Sequence, residues 1–514
     1  MKKNYFIVYF FFIYQICYSQ NWECIKTNGD YYYLGNNTGY PSGQGKAIKI
    51  IHIDSIRNIN GDSIFYVPPT IRPIYQFGEC YSPEGASWIG RYVIKNQNGD
   101  YFFFNTNNDT IKIKSLAEIN DSWLCYKDSN NLRITAKISS VVPDTFLGIS
   151  DSVKLISFLA TDSLGDSLSN PVNSLHLLLS KTYGFIDILN FNSFPGLSSS
   201  YMLYTEEFSQ YNIVGKSNPD VGITNFTFHE VYDFDIGDEF YYVGLDENMM
   251  LSYPPYYSHY SYVLDKIVDK DVYIQGDSVV YTVDRCYKYV NTDSGITTIT
   301  KGSYIGKRRI YFNNLNNVVF DHMPDEVVFD TITNNRIYTL AFYPSYQNRT
   351  CKIVPSEYCQ AIFNNNDSSW CIPIIDACLI DAEYVYGCGG PYGGCNYYGY
   401  TNYYYLSYYK KGFEIYGNPM TCNVLLGIDE PWTEDGFFEI FPNPFSDKTT
   451  IKISNENFHP YTLEIYNIFG QRLRKIKNIN SSVYTIERNN LPAGIYFYSV
   501  IVENNTYSGK LVIE

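Results

Sequence analysis

Six histidines, His52, His176, His229, His259, His322 and His459, are the side chains best suited to proton transfer or metal ligation near neutral pH, and no two lie within four residues of each other. A metal site or a catalytic triad built on them would need convergence over long stretches of chain. No H-E-x-x-H, G-x-S-x-G, phosphate-loop or dinucleotide glycine pattern occurs. Four acids, Asp233, Asp235, Asp238 and Glu239, crowd one short stretch, which could hold calcium if it is a loop; a solvated turn is the plainer reading. These patterns assign no catalytic, cofactor-binding or metal-binding residue.

Cysteine is the other reactive type. Eleven of the twelve cysteines lie beyond residue 19, and six of them, Cys351, Cys359, Cys371, Cys378, Cys388 and Cys395, fall within 351–395. No C-x-x-C occurs and no histidine lies in 351–422, so disulfides rather than zinc are expected. An odd total leaves at least one free thiol, and Cys125 in the strand-like Trp123-Leu124-Cys125-Tyr126 is the candidate. The glycine-rich stretch from Gly387 to Cys395 reads as a loop closed by a disulfide. Tyrosines from Tyr397 to Tyr409 follow; they could stack on sugar rings, pack against another protein, or line a sheet face.

The elements that must position these residues read as strands. With 45% hydrophobic residues in 514, the chain can fill more than one core. Its formal charge of −15, without a basic cluster longer than Arg472 to Lys477, excludes nucleic acid as a partner. Tyrosine is abundant at 54 and suits half-buried strands. Segments 151–158, 174–179 and 185–189 look like successive antiparallel strands, the last two joined by a turn at 180–184. Gly29 to Gly35 resembles Gly237 to Gly244, Gly61 to Tyr66 resembles Gly276 to Tyr281, and Ser87 to Arg91 resembles Ser303 to Lys307, at offsets of 208, 215 and 216. These matches fit an internal duplication of a β unit; they also fit the simpler reading that Gly-Asp followed by an aromatic run is how strands begin.

Lys2 and Lys3 followed by the apolar run Tyr5 to Ile16 form a signal peptide, 1–19, with cleavage expected between Ser19 and Gln20. Ile16, not being small, argues against lipidation at Cys17. No other apolar stretch reaches membrane-spanning length. The expected order is a β region at 20–220, a second at 221–425 containing the cysteine-rich stretch, a linker at 426–433, and a terminal domain at 434–514. The fold class is mostly all-β and antiparallel.

That terminal stretch carries Phe441-Pro442-Asn443-Pro444-Phe445, then alternating strands at 450–454 and 463–468, Gly470, the run Leu491-Pro492-Ala493-Gly494-Ile495-Tyr496, and Gly509-Lys510-Leu511-Val512-Ile513. Turn signals at roughly 8 to 12 residue spacing suit an Ig-like β-sandwich. The order of motifs, with Pro442, Asn443, Pro444, Phe445, Gly470, Gly494, Tyr496 and Lys510 as its marker positions, resembles the type A C-terminal sorting domain of the type IX secretion system of Bacteroidota. The resemblance implies a translocon and a sortase as partners, passage through the periplasm, and a cargo left on surface lipopolysaccharide or released. For residues 20–425 two classes stay open: a non-enzymatic, adhesin-like module for a glycan or protein ligand, or a secreted hydrolase of polysaccharide or protein.

Overall fold

The computed structural model describes residues 22–514 apart from 40–45, 74–79, 198, 201–204, 207, 249–256, 273–276, 294, 313–319, 325, 327, 331–334, 338, 347, 355–361, 365–368, 372–381, 398–399, 428–437, 454–459, 469 and 503–504. The signal peptide with its Ser19/Gln20 site, Cys359, Cys378, His459 and most of the expected linker fall outside the described residues. The chain divides into two compact units, Met1–Leu425 and Leu426–Glu514.

Period-two burial builds the first unit. In the strand Arg133–Phe146, Ile134, Ala136 and Ile138 are fully buried while Arg133 and Lys137 face solvent. As expected, Ile149–Thr161, His176–Ser180 and Gly184–Leu189 are consecutive antiparallel strands. Tyr31–Gly39 is the pivot of a first region, pairing with the following Lys46–Ile51 and with the late strand Gln210–Lys216. Glu239–Asn248 is placed likewise in a second region, between the following Tyr257–Val272 and the late Tyr400–Lys411. From there the ladder continues through Ser278–Asp293 to Ile296–Tyr311. Lys46–Ile51 also pairs with Leu340–Ser345, which joins the regions. One core gathers around Trp88, Phe103, Phe185, Phe191 and Phe194; another gathers around Phe234, Phe240, Tyr242, Tyr281 and Tyr409.

The suspected repeats fare unevenly. Gly29-Asp30 and Gly237-Asp238 both precede pivot strands. Ser87 to Arg91, however, is a tight turn in which Gly90 N–H donates to the Ser87 carbonyl at 2.9 Å, whereas Ser303 to Lys307 lies mid-strand in Ile296–Tyr311. The third match is a likeness of residue types and not of place.

The second unit is a sandwich. Phe438–Phe441, Lys448–Ile453 and Val483–Glu487 form one sheet; Tyr461–Tyr466, Arg472–Ile479, Gly494–Val502 and Asn505–Ile513 form the other. Ile451 and Ile486 from the first sheet meet Leu463, Ile465, Val500 and Leu511 from the second in one core.

Two expectations about the cysteine-rich stretch are corrected. Gly387 to Cys395 is not an irregular loop: after a turn at 386–388 the chain forms the strand Gly389–Tyr397, paired on both sides. Glycine is what permits this, since a Cβ on Gly394 would meet the Tyr403 ring at 1.9 Å. Cys351 and Cys388 are buried thiols and not bridged; Cys351 Sγ lies 3.2 Å from Ser345 Oγ. The described disulfide joins Cys286 to Cys422, two cysteines outside the cluster. Crowding along the chain is a poor guide to distance when alternate residues of a strand point to opposite faces. Cys125 is, as expected, a buried free thiol.

Candidate ligand-binding face

Four of the histidines sit beside acids, in separate places. His52 Nδ1 lies 2.6 Å from Asp30, His176 Nε2 3.3 Å from Asp187, His259 Nε2 3.0 Å from Asp293, and His322 Nδ1 3.8 Å from Glu326. His229 stacks on Phe312. The hydrogen bond to Asp30 raises the His52 pKa, against the opposing effect of burial. His52 borders a cleft with Lys49, Thr70, Ser87, Trp88 and Glu326, but only about 30 Å³ there is open to solvent, room for a water or two.

The acidic stretch is held by lysines: Asp233 pairs with Lys270 at 2.6 Å, Glu239 with Lys266 at 3.2 Å, and Asp238 with Lys411. No group of three His, Cys, Asp or Glu suited to a metal occurs among the described residues.

The strand Tyr400–Lys411 divides its tyrosines. Tyr408 and Tyr409 are buried, whereas Tyr404 keeps 39% of its surface exposed. Tyr404 stacks with Tyr242 at 5.7 Å and with Tyr392 at 6.0 Å between ring centroids. Gly244 lies opposite Tyr404 in register, and a Cβ there would meet Ser261 Oγ at 2.3 Å, so only glycine lets Ser261 pack there. Farther along the ladder Tyr304, 49% exposed, packs on Tyr287 and lies 3.4 Å from an Arg285 nitrogen. Arg285 grips the buried Asp265 with two hydrogen bonds of 2.6 and 2.7 Å.

Arg308 stands over the Tyr232 ring at 5.8 Å and interacts with the phenols of Tyr242 and Tyr392. Tyr242 belongs to a strand separated from that of Arg308 by two others, so the sheet must curl to bring them together. Burial pushes Tyr404 up to about 12 and Tyr242 higher still. The phenols therefore stay neutral, and the charged groups beside them are Arg285, Arg308 and the buried Asp265, which pairs with Arg285 and acts on Arg308. Sequence reasoning singled out the run 397–409 but missed Tyr242, Tyr304, Arg285 and Arg308. A usable signal was present, because Ile296–Tyr311 holds four basic residues and no acid in a chain of charge −15.

In the second unit the marker residues converge on the last strand. Asn443 donates from Nδ2 to the Lys510 carbonyl at 2.7 Å and accepts from Val512 N–H at 2.8 Å. Phe445 is buried and exchanges backbone hydrogen bonds with Val512 and Glu514. Tyr496 donates to the Pro492 carbonyl at 2.8 Å, and Gly470 and Gly494 take positive φ of 74° and 153°. Both X-Pro bonds of Pro442 and Pro444 are cis. The family described as secretion system C-terminal sorting domain matches residues 439–514. This stretch is a type IX sorting domain.

A sorting domain directs its cargo to the cell surface or the medium and engages the secretion machinery. Among the described residues no helix is long and apolar enough to cross a membrane. No curated protein matches the chain. One solved structure found by comparison is the extracellular domain of a hybrid two-component system from B. thetaiotaomicron. It is 9% identical, with 94% of this chain and 76% of that chain covered, and its TM-score of 0.12 supports no conclusion about the sorting domain's cargo.

Proposed function

We propose that residues 20–425, as two β regions of 20–220 and 221–425, are a non-enzymatic, adhesin-like module that binds its ligand on the tyrosine face of the second region. The observation that carries this reading is a pair of part-exposed tyrosines on one antiparallel ladder, Tyr404 stacked on Tyr242 and Tyr304 with its hydroxyl 3.4 Å from an Arg285 nitrogen. Aromatic planes bind well because they bury large area at small entropic cost. Export begins with a signal peptide cut between Ser19 and Gln20, passes through an oxidising periplasm, and ends with removal of 434–514 and attachment to lipopolysaccharide or release.

The second reading, a hydrolase, is favoured by the Asp30–His52 contact. The small cleft beside it weighs against that reading. The test incubates the exported protein, disulfides intact, with a mixed glycan and peptide library and examines bound and free fractions by mass spectrometry. Unaltered species held on the protein are expected; shortened species would make it a hydrolase. Deleting 434–514 is expected to leave the cargo in the periplasm, and its appearance outside at normal level would refute the export route.

A further inference from the structure

A second cleft lies where the chain passes from the first β region to the second, and it is roomier than the one beside His52. About 220 Å³ is open there, room for one hexose ring rather than a water or two. Its floor comes from neighbouring strands. Tyr386 follows the strand Ala382–Val385 and donates its backbone N–H to the Thr350 carbonyl at 3.0 Å, so the two residues lie side by side. Along Arg349–Val354, Thr350 shares its face with Lys352, whose Nζ reaches the Phe226 carbonyl at 2.9 Å. The linking segment 222–226 therefore stands over this floor as one wall. Phe226 packs edge-on against Tyr386 at 5.5 Å between ring centroids, and Asn225 Nδ2 donates to the Asp321 carbonyl at 3.0 Å. Opposite, the Glu230 carbonyl accepts from Gly387 N–H at 2.9 Å. A cleft braced in this way is formed before any ligand arrives.

Most of its polar groups are neutral and open. Among the described residues no hydrogen bond engages the side chains of Thr224, Asn348 or Thr350, which line it. Tyr386 keeps 42% of its surface exposed. Burial, and then the charge of Glu230, raise the Tyr386 phenol, so it stays a neutral donor. Glu230 accepts at Oε2 from the Thr227 N–H and hydroxyl, at 2.7 and 2.9 Å, which leaves Oε1 for another donor. Arg349 is fully engaged, with two nitrogens on Glu414 and a third on the Tyr386 carbonyl at 2.8 Å. An anion would thus meet the Glu230 carboxylate with no free guanidinium to offset it. A cation would meet Arg349, 6.0 Å from the Tyr386 ring centre. A neutral ring bearing several hydroxyls suits both groups, since it can donate to Glu230, accept from the threonines and lay its C–H face on Tyr386.

We propose that this cleft binds one neutral pyranose, the terminal sugar of a glycan. A single ring fills it, and the exposed Gly222 and Asn348 at its rim leave a way out for the rest of the chain. The site shares no residue with the tyrosine face, and so it goes beyond the reading above and stands or falls separately.

The probes are the methyl glycosides of glucose, galactose and mannose, each beside the uronic acid and the protonated amino sugar of the same configuration, titrated into the exported protein by NMR. One neutral glycoside should bind roughly tenfold or more tighter than its charged counterparts, the scale of a charge desolvated without a partner. Tyr386→Ala and Thr350→Val should each weaken it roughly three- to tenfold, while Tyr304→Ala leaves it unchanged. Thr350→Val keeps the branched shape that a strand favours, so it still decides should Tyr386→Ala fail to fold. Unchanged affinity in Thr350→Val and Tyr386→Ala, or loss on Tyr304→Ala instead, would overturn the cleft and leave the binding module standing. Tighter binding of a uronic acid or an amino sugar would overturn the neutral class. Binding of no glycoside would overturn the proposal, whatever the library shows for the tyrosine face.

Discussion

The two β regions of the first unit use tyrosine differently. In the first, Tyr33 is sealed and donates its hydroxyl to the Phe185 carbonyl at 2.8 Å, while Trp88 beside it donates to the Ile50 carbonyl at 2.9 Å. In the second, Tyr281, Tyr232 and Tyr392 are committed in the same way, to the carbonyls of Tyr232, Gly390 and Cys388. Tyr304 and Tyr404 are not, and they keep much of their ring surface open. Composition cannot separate these cases. A buried phenol needs a partner for its O–H, whereas an exposed one can use water until a ligand arrives. On the binding reading proposed above, the first region serves as scaffold and the second carries the ligand face.

Emptying the scaffold core has the largest expected effect. Phe191 is fully buried and stacks on Phe103 at 4.1 Å, so Phe191→Ala should cost about 3–5 kcal/mol. Hydrogen exchange should report that loss in strands 133–189 while the ladder 257–311 keeps its protection. Equal loss in both would make the regions one cooperative body and end the distinction. Next comes the bridge that ties strand Ser278–Asp293 to the short helix Cys422–Leu426. Replacing Cys286 and Cys422 together by serine should cost about 2–4 kcal/mol by freeing the unfolded chain. The protection lost should lie in the second region.

Much of this was legible in the sequence. Strand order around 150–189, the all-β class and the sorting domain follow from period-two alternation and turn residues, which are local signals. The cluster of phenols around Arg308 was not legible. Tyr242, Arg308 and Tyr392 stand far apart in the chain, and only the curl of the ladder gathers them. The Cys286–Cys422 bridge, 136 residues apart, was hidden for the same reason, while Cys351 and Cys388 drew attention merely by lying near other cysteines. What the sequence did hold was the uneven charge of 296–311.

A pH series sharpens the comparison at smaller amplitude. Burial lowers Lys352, which donates to the carbonyls of Phe226, Phe320 and His322, to about 7, and raises Glu383 on the neighbouring strand to about 7. Between the ordinary carboxyl value and 7 the folded state holds a proton on Glu383 that the unfolded state lacks, so stability falls as pH rises. Above 7 the unfolded state holds a proton on Lys352 that the folded state lacks, so stability rises toward the ordinary lysine value. The second region should be least stable near neutrality. Glu383→Gln should flatten the acid arm and Lys352→Met the basic arm, read from denaturant midpoints. In the first region Lys154, lowered by burial to about 8, gives a basic arm displaced to higher pH. A trough unmoved by either variant would refute the assignment.

The smallest effects on stability decide most about function. Tyr33→Phe removes one buried hydrogen bond and should cost about 1 kcal/mol with no change in ligand binding. Tyr304→Ala touches a side chain that is half in solvent, so stability should move by no more than about 0.5 kcal/mol. Affinity for a ligand retained from the glycan and peptide library should nevertheless fall roughly three- to tenfold, the scale of one aromatic contact. The two tyrosines thus predict opposite responses to the same pair of assays. If Tyr304→Ala instead destabilised the fold and spared binding, that ring would be packing of the Tyr33 kind, and the open face would have lost its claim to a ligand.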